Sequence, residues 1–300
     1  MGTAPSVSVK SSSVLPRDIL LLIIGYHGTE TIIDKPYVNT LHNLLIQYKI
    51  NIPVNLSYTG LSRWTLGSTL RPYYSDIVGL SLIDCGATVS YIKEYLYNVV
   101  TLTVEGDGFD VGLFAYTPNL RNLTVPHNME FRPNTFKYLR GLERFCTSFN
   151  TYSTEYCDLT DEMLMDIISL RELVLCHAPQ VTDRGINHHM CLRILSLQLM
   201  DIDIVVLPFL EKLTLIESYS SGIATPRLDT LTYVGYFIAL EVIQILSDPS
   251  LNLTLILNLY KAQKPDHINY YRNFVAVHRL ICMSEHARSV IGLFPNLDHC

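Results

Sequence analysis

The chain predicts an α/β solenoid, a curved parallel sheet of about nine strands closed by a cap at each end. Three observations carry that expectation. An apolar-x-x-apolar-x-apolar pattern recurs nine times between residues 77 and 255. The residue between the last two apolar positions is Ser or Thr in seven of the nine copies. The apolar share is high, 48% with a mean hydropathy of +0.22, yet no run approaches the roughly 20 residues of a bilayer span. The apolar residues must therefore be spread through buried strands.

The copies are Ile77/Leu80/Leu82, Val99/Leu102/Val104, Leu120/Leu123/Val125, Leu142/Phe145/Thr147 and Leu170/Leu173/Leu175. Leu192/Leu195/Leu197, Leu210/Leu213/Leu215, Leu228/Leu231/Tyr233 and Ser250/Leu253/Leu255 complete the series. Their central residues lie 22, 21, 22, 28, 22, 18, 18 and 22 positions apart. Periods in the twenties with this pattern mark leucine-rich repeats. The intervening column reads Ser81, Thr103, Thr124, Cys146, Val174, Ser196, Thr214, Thr232 and Thr254. Period-2 alternation sends the leucines inward and this column onto the inner face of the arc, where small or β-branched side chains suit crowded strands.

Each strand returns to the next across the convex side. The longest spacing leaves room for a helix over 159–169, with Thr160 as N-cap, and 89–98 is a second helical candidate. The two 18-residue spacings are too short for that, so those returns are expected to be extended or a single 3₁₀ turn. Residues 1–12 are Ser-rich and expected to be disordered. Residues 13–70 lie outside the repeats: Pro16 suits a first helical position, Ile19, Leu20, Ile23 and Ile24 share one helical face, and 39–49 is a second helical run. The plain reading is an N-terminal cap of packed helices. The repeats occupy 71–260. Residues 261–300, with Phe274, Val277, Leu280 and Ile281 at helical spacing, read as a C-terminal helical cap.

Two further features resemble a known family. Leu170-x-x-Leu173-x-Leu175 followed by Val181-Thr182-Asp183-x-Gly185-Ile186 resembles the cysteine-containing class of leucine-rich repeat. "LTDEML" (159–164) echoes the same turn, and Cys85 stands where that class often has its cysteine. "LPRDIL" (15–20) is similar to the first helix of an F-box, and "LSRW" (61–64), with the single Trp, to the end of that module. The resemblance implies the substrate-recognition subunit of an SCF-type ubiquitin ligase. Leu15, Pro16, Ile19, Leu20 and Trp64 would then dock on the ligase adaptor, and the repeats would hold the substrate. Leu15 and Trp64 are 49 residues apart, longer than the module, which implies an insertion over 28–40. The alternative is a non-ligase scaffold or interaction protein whose N-terminal helices only cap the solenoid.

Other classes of function find little footing. Net charge is −6, with 28 acidic and 22 basic residues and no basic stripe, so no nucleic-acid footprint is expected. Seven scattered cysteines suggest reduced thiols in the cytoplasm or nucleus. "EGDGFDVG" (105–112) lacks the spacing of a phosphate loop and is expected to be a repeat turn. Cys176 and His177 with His188, His189 and Cys191 match no zinc-finger spacing, so no metal, cofactor or catalytic residue is expected. Binding is left to the concave face, where outward positions at and just past the strands give Asp84, Glu105, His127, Phe149, Val174, Cys176, His177, Gln198 and Glu217. The plain reading of these is a solvated sheet face. The functional one is a weakly acidic arc, anchored near its middle by Phe149 and two histidines, that holds a protein partner.

Overall fold

A computed structural model describes residues 30–32, 54–59, 77–83, 92–106, 110–126, 128–148, 157–236, 242, 245–246, 248, 250–260 and 276–284. Fourteen strands are described. In chain order they are β1 (Glu30–Ile32), β2 (Val54–Thr59), β3 (Ile77–Ile83), β4 (Thr101–Glu105), β5 (Asn122–Pro126), β6 (Arg144–Ser148), β7 (Glu172–Cys176) and β8 (Ile194–Gln198). They continue as β9 (Asp201–Val206), β10 (Lys212–Ile216), β11 (Tyr219–Ala224), β12 (Thr230–Gly235), β13 (Leu253–Leu259) and β14 (Val277–Cys282). Twelve form one sheet in the order β1 to β8, then β10, β12, β13 and β14, while β9 and β11 pair separately. Every pairing is parallel.

All nine sequence copies are strands of the large sheet, and their leucines form its core. Leu102, Leu123, Phe145, Leu173, Leu195 and Leu231 are fully buried. The small-residue column aligns across the sheet, Thr103 with Thr124, Cys146 with Val174, and Ser196 with Thr214 and Thr232. Successive repeats are also tied where they enter the sheet. From β4 to β12 the entering carbonyl accepts two N–H groups from the following repeat, as when the Arg171 carbonyl takes Arg193 (2.8 Å) and Ile194 (3.1 Å). That pattern recurs at Arg121, Glu143, Arg193 and Glu211, so each coil is registered against its neighbour before the ladder begins.

The fourth copy, on β6, departs from the leucine pattern and compensates. Phe145 fills its central position and packs on Phe136 (5.3 Å) and Phe131 (6.2 Å). Thr147 sits buried where other copies place Leu, Val or Tyr. Its hydroxyl oxygen accepts from the Cys176 N–H at 2.8 Å, replacing a ladder acceptor where the β6–β7 pairing stops at Cys146–Val174.

On the convex side, 159–169 yields a helix of five residues, α1 (Asp161–Met165). Thr160 caps it as expected, accepting from the Met163 N–H at 3.4 Å. The helix is short because i to i+3 bonds, Asp166 N–H to Met163 and Ile167 N–H to Leu164, tighten its end and deliver Ile167 and Leu170 to the core. A second helix, α2 (Asp183–Asn187), follows β7. The candidate at 89–98 shrinks to a 3₁₀ turn, Lys93–Tyr95. Where spacing falls to 18, the returns are extended: they are β9 and β11, paired into a second sheet on the back.

Three expectations need correction. The sheet does not stop at residues 71 and 260. Within the interval read as a helical N-terminal module, Glu30–Ile32 and Val54–Thr59 are strands, and β2 pairs with β3. The helical runs expected at 13–24 and 39–49, with Leu15, Pro16, Ile19, Leu20 and Trp64, lie outside the described residues, as do residues 1–12. In the expected C-terminal helical cap, Val277, Leu280 and Ile281 belong to strand β14, which pairs with β13 across a bulge at Leu253/Thr254. The free edge of β13 outweighs a local 3.6-residue period in which Val277 and Ile281 are β-branched. Last, the ninth copy is displaced by two residues, since Leu231 pairs with Leu255 and Tyr233 with Leu257. Leu253, Leu255, Leu257 and Leu259 are all buried, so period-2 alternation alone cannot distinguish the two registers.

Candidate protein-interaction face

The inner face of the sheet changes character along its length. Over β4 to β7 it is polar: Thr101, Thr103 and Glu105, then Asn122 and Thr124, Arg144 and Cys146, and Glu172. These groups satisfy one another, with Asn122 Nδ2 donating to Thr101 Oγ1 (3.1 Å) and Arg144 paired to Glu172 at 2.8 Å. Over β10 to β14 the same face keeps Thr214, Thr232 and Thr254 but gains aliphatic residues toward its exit. Ile216 aligns with Val234, and Ile256 with Ile281, all half-buried. At the exit of these strands stand Tyr236 (48% exposed), Tyr260 (42%) and Met283 (65%).

The strand exits share a second feature. Gly106, His177, Leu199 and Glu217 occupy equivalent positions just past β4, β7, β8 and β10, and all have left-handed backbone, with φ of 85°, 49°, 54° and 48°. Three of the four are not glycine, a conformation costing about 1 kcal/mol or more each. The turn keeps the ladder alive, because the N–H of His177, Leu199 and Glu217 still donates to Gln198 (2.9 Å), Ile216 (3.0 Å) and Val234 (2.8 Å). It also swings the following residues, Ala178, Met200 and Ser218, into the core. β12 and β13 omit this turn and run one residue further. Tyr236 and Tyr260 are thereby carried out on the concave side, and the Tyr260 N–H bonds the Gly235 carbonyl at 2.9 Å. Their rings meet edge to face, 5.3 Å between centroids and 70° between planes.

Glu217 completes this group. Its carboxylate accepts the Tyr260 hydroxyl, two strands away. Burial, the Glu217 charge and that hydrogen bond hold the Tyr260 hydroxyl above the usual phenol range.

Of the residues expected on this face, Glu105 is exposed at the end of β4, while Val174 and Gln198 are half-buried on β7 and β8. His177 and Glu217 sit on the left-handed exits, half-buried. Cys176 is corrected: at 1% exposure it cannot meet a partner, although its alternation is that of an inner-face residue. Asp84, His127 and Phe149 lie outside the described residues. Burial pushes the thiols of Cys157 to about 12 and Cys176 to about 11, and also raises that of Cys146. All three are protonated at neutral pH and poor nucleophiles. Among the described residues no three His, Cys, Asp or Glu side chains gather closely enough to hold a metal ion. Among them, too, no helix is long and apolar enough to cross a membrane.

Sequence reasoning missed Ile216, Val234, Tyr236, Ile256, Tyr260, Ile281 and Met283. The signal was present. In "TLTYVGY" (230–236) and "LTLILNLY" (253–260) the alternation continues past the leucines and ends on an outward Tyr in both.

A second set of exposed apolar residues lies on the turns leading back into the sheet: Tyr97, Tyr116, Tyr138, Ile168, Met190 and Phe209. Three of these carry the chain's own cations, with Lys93 6.0 Å from the Tyr116 ring, Lys137 4.9 Å from Tyr138 and Arg227 4.8 Å from Phe209.

Comparison with known proteins finds no matching family model and no curated relative. Among solved structures the chain is similar to a leucine-rich repeat protein of Leptospira interrogans, at 16% identity and a TM-score of 0.52, over 88% of this chain and 67% of that one. It also overlaps the leucine-rich repeat domain of APL1B (15% identity, TM-score 0.42, 89% of this chain and 94% of that one). A third overlap is with the yeast Rad7–Elc1 complex (16% identity, TM-score 0.39, 87% of this chain and 81% of that one). The likeness to the Leptospira protein speaks to architecture, and it agrees with the sheet, its repeating coil and its aligned columns: the chain folds as a leucine-rich repeat solenoid.

Proposed function

We propose that the chain is a protein-recognition solenoid whose partner docks on the inner face of β10, β12, β13 and β14. The apolar character of that face carries the reading. Ile216 is in register with Val234 and Ile256 with Ile281 on strands about 4.8 Å apart; Val234 faces Asn258 and Ile256 faces Thr232, so the two apolar pairs meet on a diagonal, bordered by exposed Tyr and Met, the side chains enriched in interface cores. The outer turns are a weaker candidate, since three of their aromatic rings already hold cations. The proposed activity is binding, without catalysis, in the cytoplasm or nucleus, in keeping with the free cysteines.

A purified partner is expected to lose tenfold or more in affinity for the Val234→Gln/Ile256→Gln variant, the outcome for two apolar contacts at an interface centre. Thr103→Gln, on the polar half, is expected to leave affinity unchanged. Equal binding by all three proteins in calorimetry would sink the reading.

A finer reading is the substrate-recognition subunit of an SCF-type ubiquitin ligase. It is supported by the resemblance of Leu15, Pro16, Ile19, Leu20 and Trp64 to an adaptor-docking module. Set against it, β1 and β2 run within the same interval. The reading expects direct binding of the purified ligase adaptor by the full chain, lost in Leu15→Asp. A wild-type chain that fails to bind the adaptor leaves the partner-binding reading standing and ends this one.

A further inference from the structure

Six of the eleven large apolar side chains exposed among the described residues stand on the turns that lead into β4, β5, β6, β7, β8 and β10. We propose that this edge of the solenoid docks on an anionic lipid bilayer, with Tyr97, Tyr116, Tyr138, Ile168, Met190 and Phe209 entering the boundary between headgroups and acyl chains. The surface is separate from the concave face, and the two readings stand or fall independently.

The repeat itself puts these residues in one file. The strands pair in parallel, so every entry turn reaches the same side of the sheet. Tyr97, Ile168 and Met190 lie two residues before Val99, Leu170 and Leu192, the first apolar position of their copies, while Tyr116 and Tyr138 lie four before Leu120 and Leu142. Between those two places stands a buried residue, Leu96, Thr117, Leu139, Ile167 or His189, drawn inward by an i to i+3 bond in each turn. Six neighbouring coils about 4.8 Å apart make a file roughly 24 Å long. A protein hot spot is a compact central cluster, whereas a lipid boundary accepts a line of side chains that insert one by one.

The chemistry of the file fits headgroup depth. Tyr, with an apolar ring and a polar tip, favours that layer. The cations that make these rings a poorer protein contact suit a lipid one. Lys93, Lys137 and Arg227 rest against Tyr116, Tyr138 and Phe209, so each charge can reach phosphate while its stem and ring lie below. Exposed Arg140 and Arg171 add charge beside Ile168. Over the eight residues that end one past each first apolar position, from Lys93 to Asp229, the turns carry seven Lys or Arg and five Asp or Glu, in a chain with 22 against 28. The edge is positive on a negative protein, the sign that an anionic leaflet attracts. Tip carbonyls are also provided for: that of Tyr97 accepts Asn119 Nδ2 and that of Gly141 the Arg121 guanidinium, both at 2.9 Å. Leaving water does not orphan them.

The test is co-sedimentation of the purified full chain with vesicles of phosphatidylcholine, alone or with about a third phosphatidylserine. Wild type is expected to bind the mixed vesicles, to lose them as salt rises, and to leave the neutral ones in suspension. Arg140→Gln and Arg171→Gln are each expected to weaken binding roughly fivefold, and Ile168→Ser/Met190→Ser tenfold or more. All four residues are exposed, so the variants keep the fold, which circular dichroism checks. Val234→Gln/Ile256→Gln, on the concave face, is expected to bind vesicles as wild type does. No binding to mixed vesicles, equal binding to both compositions, or binding that Ile168→Ser/Met190→Ser leaves intact would each overturn the proposal. If the chain ignores vesicles while Ile168→Ser/Met190→Ser weakens a purified protein partner, the edge is a protein contact and the lipid reading falls.

Discussion

Gly185→Ala is expected to destabilise the protein by about 2–3 kcal/mol, although alanine normally gains about 1 kcal/mol over glycine inside a helix. Gly185 is buried in α2, and an added Cβ would collide with Asp161 Oδ1 and stand 3.1 Å from the Asp161 Cα. Asp161, the first residue of α1, cannot step aside. Its Oδ1 accepts the Thr182 N–H at 2.8 Å and its Oδ2 the Thr182 hydroxyl at 2.6 Å, while that hydroxyl oxygen caps α2 by accepting the Arg184 N–H at 3.2 Å. One buried carboxylate thus joins two consecutive coils, and glycine is what lets α2 approach it. The nearby Arg184–Glu162 pair is exposed on both sides and adds little. A double-mutant cycle with Asp161→Ala separates the causes. If the carboxylate is the obstacle, Gly185→Ala costs clearly less in the Asp161→Ala background, read from urea denaturation. Additive costs, or a stabilised Gly185→Ala, would refute this account.

The same contact shows why parts of the fold were legible in the sequence. The Thr-Asp pairs at 160–161 and 182–183 and the glycine at 185 stand out in the chain because Asp161 of the first pair holds Thr182 of the second and Gly185 makes room for it. The strands were legible for a related reason, since every inward position from Leu80 to Tyr233 must fill one column of a shared core. What stayed hidden needed non-local information. The register of β13 was ambiguous because four alternating leucines fit two alignments. β14 was misread because its spacing mimics a helix and only the open edge of β13 makes it a strand.

The face was harder than the fold. Alternation assigns Cys176 to the concave side, but alternation says nothing about what lies over a residue, and Cys176 is buried. Glu217 and His177 were placed at the strand exits, yet the left-handed backbone that aims them is invisible in residues that rarely adopt it. Tyr236 and Tyr260 went unrecognised because the expected face ends at Glu217 on the β10 exit, and β12 and β13 run one residue further than the coils before them.

Acid should weaken the fold through His189, and the effect is expected to reach about 3 kcal/mol by pH 4. His189 is 4% exposed in the turn after α2, its backbone N–H bonded to Ile186 at 3.1 Å. Its imidazole donates to the Leu164 carbonyl, and its Nε2 has no hydrogen-bond partner. Burial, then the neighbouring His188 ring at 5.5 Å, push its pKa down to about 4, only partly opposed by that donated bond. In the unfolded chain it titrates near 6.5. Above that value neither state binds the proton and His189 leaves stability unchanged. Between about 6.5 and 4 the unfolded chain is protonated and the fold is not, so stability falls by about 1.4 kcal/mol for each pH unit lost. His189→Gln keeps an amide donor for the Leu164 carbonyl and cannot titrate. The difference between wild-type and His189→Gln unfolding free energies should therefore be flat above pH 7 and grow steadily from pH 6.5 to 4. Parallel curves for the two proteins over that range would show that His189 is not buried neutral. A wild type that instead gains stability as pH falls would mean that a carboxylate faces the ring.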